Sequence, residues 1–257
     1  YSYPGKIPAL CGVDLTIEQG SRVAVIGANG TGTSTLLAML DALIFPDKGG
    51  IKAFGEMLTE RALNDVAFSR AFRSRVGFVF QNPDVQLFCP TVREDIIFGP
   101  LQLGVLPIEV EVRLDTLARN FKIAHLLERP PHQLSIGEKR KVAIASVLAV
   151  RPEVLLLDEP TAGLDPKTTR DIIDLILAES AAGKTIVTAT HDMHIVEEIA
   201  DMVHVFSTEK RVIHSAHSGQ VLSDQALLQE HNLVHFHSHH HGDKVHTHVH
   251  QHAQHHA

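Results

Sequence analysis

Gly27-Ala28-Asn29-Gly30-Thr31-Gly32-Thr33-Ser34-Thr35 follows the apolar run Val23-Ala24-Val25-Ile26 and leads into Leu36-Leu37-Ala38-Met39-Leu40. The first run reads as a buried strand and the last as the start of a helix, which makes the glycine-rich stretch a strand-to-helix turn. Its glycines let the backbone wrap tightly, so that N–H groups and the helix N-terminus point at phosphate oxygens. Gly27, Asn29, Gly30, Gly32, Thr33, Ser34 and Thr35 are the candidate phosphate-facing residues, and Ser34 falls where a hydroxyl would ligate Mg²⁺. Thr33 stands where G-x-x-x-x-G-K-[ST] asks for lysine.

The elements on either side fit an α/β chain. Val13, Leu15 and Ile17 alternate as a strand that turns at Gln19-Gly20 into Val23–Ile26. Ile51 to Phe54 predicts a short strand, Thr59 to Arg73 a polar helix, and Val76–Phe80 a buried strand ending at Gln81-Asn82-Pro83. From about 85 to 150 the pattern turns helical and predicts an inserted subdomain. Thr91 caps a helix that Gly99-Pro100 stops, Pro107 opens another to about Phe121, and Ser135 caps a third. Strands return at Val154–Leu157, Thr185–Ala189, Val203–Phe206 and Arg211–His214, with helices after Pro166 and over Met193–Ala200 between them. Alternation of this kind predicts a parallel α/β sheet over 1–220, which with the glycine-rich turn resembles the RecA-like core of P-loop NTPases, followed by a short C-terminal helix at 221–230. Tyr1-Ser2-Tyr3-Pro4 lies inside a strand pattern, which implies that residues precede it.

Composition narrows the function. The 257 residues are 44% hydrophobic, ordinary for a globular domain, and no apolar run approaches bilayer length. A membrane role must then come through a partner. Cys11 and Cys89 belong to no pairing motif, which fits a reducing cytosol. The formal charge of −7 gives no basis for nucleic acid binding.

Val154-Leu155-Leu156-Leu157-Asp158-Glu159 delivers two carboxylates at the C-terminal end of a strand, where α/β sheets bind ligands. Asp158 would hold Mg²⁺ and Glu159 would activate the attacking water, although paired carboxylates after a strand also serve as simple turn caps. Leu134-Ser135-Ile136-Gly137-Glu138, at a helix start, resembles the signature motif of ATP-binding-cassette (ABC) ATPases. The stretch also reads as a capping box, and the two roles are compatible. Ile136 replaces the family's first glycine and Gly137 keeps the second.

That resemblance implies further roles. Gln81 matches the Q-loop, which senses Mg²⁺ and the attacking water and couples to the transport partner. Ala162-Gly163-Leu164-Asp165 matches the D-loop, and Thr190-His191-Asp192 the switch histidine that bonds the γ-phosphate. Tyr3 is the aromatic that would stack on adenine, with an ordinary strand tyrosine as its alternative. Ser135 and Gly137 would meet ATP bound by the opposite subunit, so the resemblance implies a dimer, either homodimer or with a related ATPase subunit. Gln81–Phe88, Thr91–Pro100 and Arg129–Leu134 are similar to the ATPase subunits of energy-coupling-factor importers, above all those for cobalt and nickel. The resemblance implies ATP and Mg²⁺ as ligands, integral membrane partner subunits, and a place at the cytoplasmic face of the membrane. Leu87, Phe88 and Phe98 would help form the groove for a coupling helix.

Residues 231–257 hold twelve of the 19 histidines. With almost no core-forming side chains, this low-complexity segment is expected to be disordered. Neutral imidazoles suit Ni²⁺ and Co²⁺. The candidate metal ligands are His235, His237, His239, His240, His241, His246, His248, His250 and His252, against the alternatives of a purification tag or a neutral polar tail.

The reading is an ATPase subunit energising Co²⁺ or Ni²⁺ import, its hydrolysis impaired by Thr33. Two alternatives stay open: an energy-coupling-factor ATPase for another substrate, and a hydrolytically silent ATP-binding scaffold whose tail sequesters metal.

Overall fold

The computed structural model describes residues 1–241 and 244–250. Its centre is a six-stranded sheet in the order Val212–His217, Met202–Phe206, Arg22–Gly27, Thr185–Ala189, Val154–Asp158, Val76–Val79. The last five run parallel, and the Val212–His217 edge pairs antiparallel. Successive side chains of the central strands serve opposite faces. Ala24, Ile26, Leu155 and Leu157 enter one apolar cluster with helices Ile136–Leu148, Pro166–Ala181 and Met193–Ile199. Val25, Leu156 and Val187 enter the other with helix Thr33–Leu40 and Phe72. Burial on both faces is why these strands read as continuous apolar runs.

Several expectations change. Val13, Leu15 and Ile17 pack half-buried on the second cluster, but their backbone joins no strand ladder, so the predicted strand is absent. Thr59–Arg73 is two helices, Glu60–Leu63 capped by Thr59 and Val66–Arg75 capped by Asp65. Each cap carboxylate or hydroxyl claims its own first-turn N–H, and that competition breaks the run. Gly99-Pro100 does not stop its helix, which runs Val92–Gln102. Proline keeps a helical φ and forfeits a single bond there. The stop is Gly104 at φ +82°, with Val105 N–H on the Pro100 carbonyl and Gly104 N–H on that of Leu101. A strand that the sequence reading lacked, Glu56–Leu58, pairs with Ile51–Ala53.

Helices Val92–Gln102, Pro107–Asn120 and Ile136–Leu148 make up the helical interruption. The C-terminal segment is two short helices, Ser218–Ser223 and Gln225–Glu230, and Val221, Leu228, Leu233 and Val234 are buried in the first cluster. The packed body therefore reaches Val234. Beyond it, where a disordered tail is expected, His235–His241 and Lys244–His250 pair as an antiparallel ribbon. His252 lies outside the described residues. Among the described residues no helix is long and apolar enough to cross a membrane.

Candidate nucleotide site

Strand register brings the candidate residues to one edge. Val25 and Asp158 both pair with Ala189, and Val79 pairs with Leu157. Gly27 ends its strand, and Gln81, Glu159 and His191 follow theirs by one or two residues, so all four sit at the C-terminal ends of four adjacent parallel strands.

The turn after Arg22–Gly27 is shaped by close approaches. A Cβ on Gly27 would fall 2.3 Å from Thr31 Oγ1, and that hydroxyl donates to the Ala28 carbonyl at 2.8 Å. Gly32, at φ +103°, is pressed by the chain at 9–10, and a Cβ there would lie 2.3 Å from the Ala9 carbonyl oxygen. Helix Thr33–Leu40 thus begins behind a residue with no side chain to cap it, and its first turn carries no acidic residue. Asn29 and Gly30 are exposed at the loop tip, Ser34 is exposed and Thr35 is buried. Tyr3, 42% exposed, shares a hydrogen bond of 3.0 Å with Thr35 Oγ1, which places the tyrosine beside this loop.

Asp158 ends its strand almost fully buried, and its Oδ1 has no hydrogen-bond partner. Burial pushes its pKa up, opposed by the neighbouring Ser34 hydroxyl. An orphaned carboxylate oxygen beside a hydroxyl fits the oxygen donor set of Mg²⁺, and Gln81 lies on the next strand end. Glu159 sits at φ +45°, a left-handed conformation that costs a non-glycine residue roughly 1–2 kcal/mol. Both its carboxylate oxygens are engaged. Oε2 accepts from Thr190 Oγ1 at 3.1 Å, while Oε1 accepts the His191 N–H at 3.1 Å and faces His191 Nδ1 at 2.6 Å. That contact raises the His191 pKa, with burial opposing it.

Ser135 opens helix Ile136–Leu148 with a full capping box. Its hydroxyl accepts from Glu138 N–H, and the Glu138 carboxylate accepts from Ser135 N–H and Oγ–H, each at 2.8 Å. Gly137 packs against Thr168, where a Cβ would approach to 3.2 Å. Asp165 caps helix Pro166–Ala181 through Lys167 N–H, Thr168 N–H and the Thr168 hydroxyl. Ser135, Gly137, Glu138, Lys141 and Asp165 line a cavity of about 360 Å³.

Two participants escaped the sequence reading. Thr190 holds Glu159, and its place directly before His191 could have shown it. Arg140, 2% exposed, donates to the carbonyls of Phe80 and Gln81. Its signal was hidden in the run Lys139-Arg140-Lys141, where any one basic residue looks like solvated surface.

Comparison with known proteins points to one family. The ABC transporter family matches residues 10–162. The nickel import ATP-binding protein NikO of Rhodobacter capsulatus is 49% identical over 91% of this chain and 92% of its own length. The cobalt import ATP-binding protein CbiO of the same organism is 42% identical over 91% of this chain and 81% of its own. Among solved structures, cbiO1 of Clostridium perfringens, part of the transporter complex cbiONQ, superposes with a TM-score of 0.75 at 36% identity over 91% of both chains. A dimeric post-hydrolysis ATP-binding cassette, MJ0796 bound to ADP and phosphate, gives 0.73 at 27% identity over 82% of this chain and 90% of that one.

Proposed function

The chain belongs to the ABC transporter family of ATP-binding subunits, and from that premise we propose that it energises import of Ni²⁺ or Co²⁺ through integral membrane subunits. It is a P-loop ATPase subunit of an importer, and such subunits dimerise. The observation that carries the metal assignment is the concentration of histidines after residue 230, supported by likeness to nickel and cobalt import proteins.

In the proposed cycle Gly27–Thr35 cradles the phosphates, Tyr3 stacks on adenine, and Ser135, Gly137 and Asp165 face ATP held by the opposite subunit. Mg²⁺ held by Ser34, Asp158 and Gln81 would neutralise phosphate charge. Glu159 takes the proton of the attacking water on Oε2, which accepts only from Thr190, while Oε1 is held twice by His191. With Nδ1 facing Glu159, His191 has Nε2 left for the γ-phosphate. Thr33 offers a hydroxyl where the motif has an ammonium, and hydrolysis is slowed accordingly.

In the tail, backbone register sets His235 opposite His250, His237 opposite His248, and His239 opposite His246. Alternation along the strands puts these positions on one face of the ribbon. Uptake by proteoliposomes that hold this chain and its membrane subunits tests the import reading. ATP-dependent accumulation of Ni²⁺ or Co²⁺ supports it, and accumulation of neither metal overturns it. For the tail, calorimetry should compare the full chain with one ending at Val234, since ending at Glu230 would strip Leu233 and Val234 from the core. Equal Ni²⁺ uptake by the two would remove the tail's metal role.

A further inference from the structure

Strand Val76–Val79 makes its last ladder pair at Val79, so the carbonyls of Phe80 and Gln81 leave the sheet without strand partners. Arg140 supplies both. Its Nη1 donates to the Phe80 carbonyl at 2.7 Å and its Nη2 to the Gln81 carbonyl at 2.6 Å, the planar fork meeting two acceptors at once. A buried guanidinium is costly unless paired, and its Nε has no partner. The two carbonyls, with the Asp158 and Glu159 charges nearby, offset that cost.

Weaker ties run alongside. Lys139 Nζ donates to Asp84 at 2.7 Å, and Gln86 Nε2 donates to the Ala143 carbonyl at 2.8 Å while its Oε1 accepts the Phe80 N–H. All of these helical partners belong to Ile136–Leu148, whose N-terminus is the Ser135 anion site about 7 Å along the axis from Arg140.

We propose that Arg140 is a positioning residue that locks Gln81 to the helix beginning at Ser135. The segment facing the chain's own nucleotide then moves as one body with the segment facing the opposite subunit's nucleotide. The coupling role rests on the reading of Gln81 and Ser135 as nucleotide-facing; the lock itself does not.

Hydrogen exchange on the full chain tests it with Arg140→Gln and Arg140→Lys. In Arg140→Gln the amides of residues 80–87 should exchange about tenfold faster or more, while Val142–Leu148 and Val154–Asp158 stay within about twofold of the unsubstituted chain. Lysine keeps a buried donor but lacks the fork, so Arg140→Lys should fall between and carries the test if the glutamine variant does not fold. Unchanged exchange at 80–87 would overturn the proposal. So would uniform acceleration across the chain, which would make Arg140 a general stabiliser. MgATP should slow exchange at 80–87 and at 135–138 of the unsubstituted chain. No slowing at either would overturn the nucleotide reading and with it the coupling role, a failure distinct from loss of the lock.

Discussion

Helices Thr33–Leu40 and Ile136–Leu148 both begin where an anion would sit, and they treat their first turns in opposite ways. The first starts behind Gly32 with no side-chain cap, so no protein group competes with a ligand for its N–H donors. What it lacks is a cation, since Thr33 carries no charge. The second is closed on itself by Ser135 and Glu138, and the bonds from Ser135 hold the Glu138 pKa below its usual value. An anion reaching the Ser135 hydroxyl must displace a carboxylate, while the Ile136 and Gly137 N–H groups stand outside the box. One site is open but short of charge, and the other has its cap hydroxyl already taken by an acid. A helix N-terminus is thus a ready anion site only when its own sequence leaves it free.

The largest test asks whether chemistry belongs to the open helix and its strand neighbours. Glu159→Gln on a Thr33→Lys background should lower steady-state ATP turnover on the order of a hundredfold relative to Thr33→Lys alone. The amide keeps the shape but accepts no proton, so ATP-bound dimer should accumulate by light scattering. Turnover that survives would put the proton acceptor elsewhere.

Next in size is Thr33→Lys alone. An ammonium about 4 Å from a phosphate charge is worth on the order of 4 kcal/mol at an effective dielectric near 20. Most of that binds ground and transition state alike, and about a third of it realised only in the transition state raises the ATPase rate roughly tenfold. Equal rates would mean that another cation already serves the open helix and that the contrast in charge is false.

A smaller change sharpens the other half. Glu138→Gln keeps the cap geometry and removes the competing charge beside the Ser135 hydroxyl. Terminal charges at helix ends are worth about 0.3–1 kcal/mol, so the ATP concentration that closes the trapped dimer should fall about two- to fivefold, and less at high salt. An unchanged midpoint would show that Glu138 does not oppose the incoming phosphate.

How much of this was legible in the sequence follows from the range of each interaction. Gly27–Thr35 and the Ser135–Glu138 box are local patterns, and both fold as their residues dictate. The strand ends that carry Gln81, Asp158 and His191 were legible because apolar runs end abruptly in polar residues. Arg140 was not, because its acceptors are backbone carbonyls some sixty positions earlier, which carry no residue identity. Val13–Ile17 alternates like a strand but finds burial without a ladder, and alternation reports burial of one face, not hydrogen bonding.

The smallest effect concerns the far end of the open helix. Asp41 closes Thr33–Leu40 at its C-terminus, 9% exposed, and burial pushes its pKa up to about 7, with the Arg73 charge opposing. A carboxylate there also faces the negative end of the helix dipole. The sign follows from linkage. The folded pKa lies above the unfolded value near 3.9, so the folded state holds the proton more tightly. The stability from keeping Asp41 neutral is full below that unfolded value and is lost as pH rises toward 7. Asp41→Asn is neutral throughout but buries an amide, so near pH 4 it should be less stable than the unsubstituted chain by roughly 1–3 kcal/mol. Each tenfold gain in proton affinity is worth about 1.4 kcal/mol, but the amide is itself a buried polar group, so the gain at pH 8 should be about 1 kcal/mol, or roughly 2–4 °C in Tm. Melting curves across pH 4 to 8 check it. A difference between the two proteins that does not change with pH would mean that Asp41 titrates alike in the folded and unfolded chain, and that the open helix tolerates a charge at its wrong end.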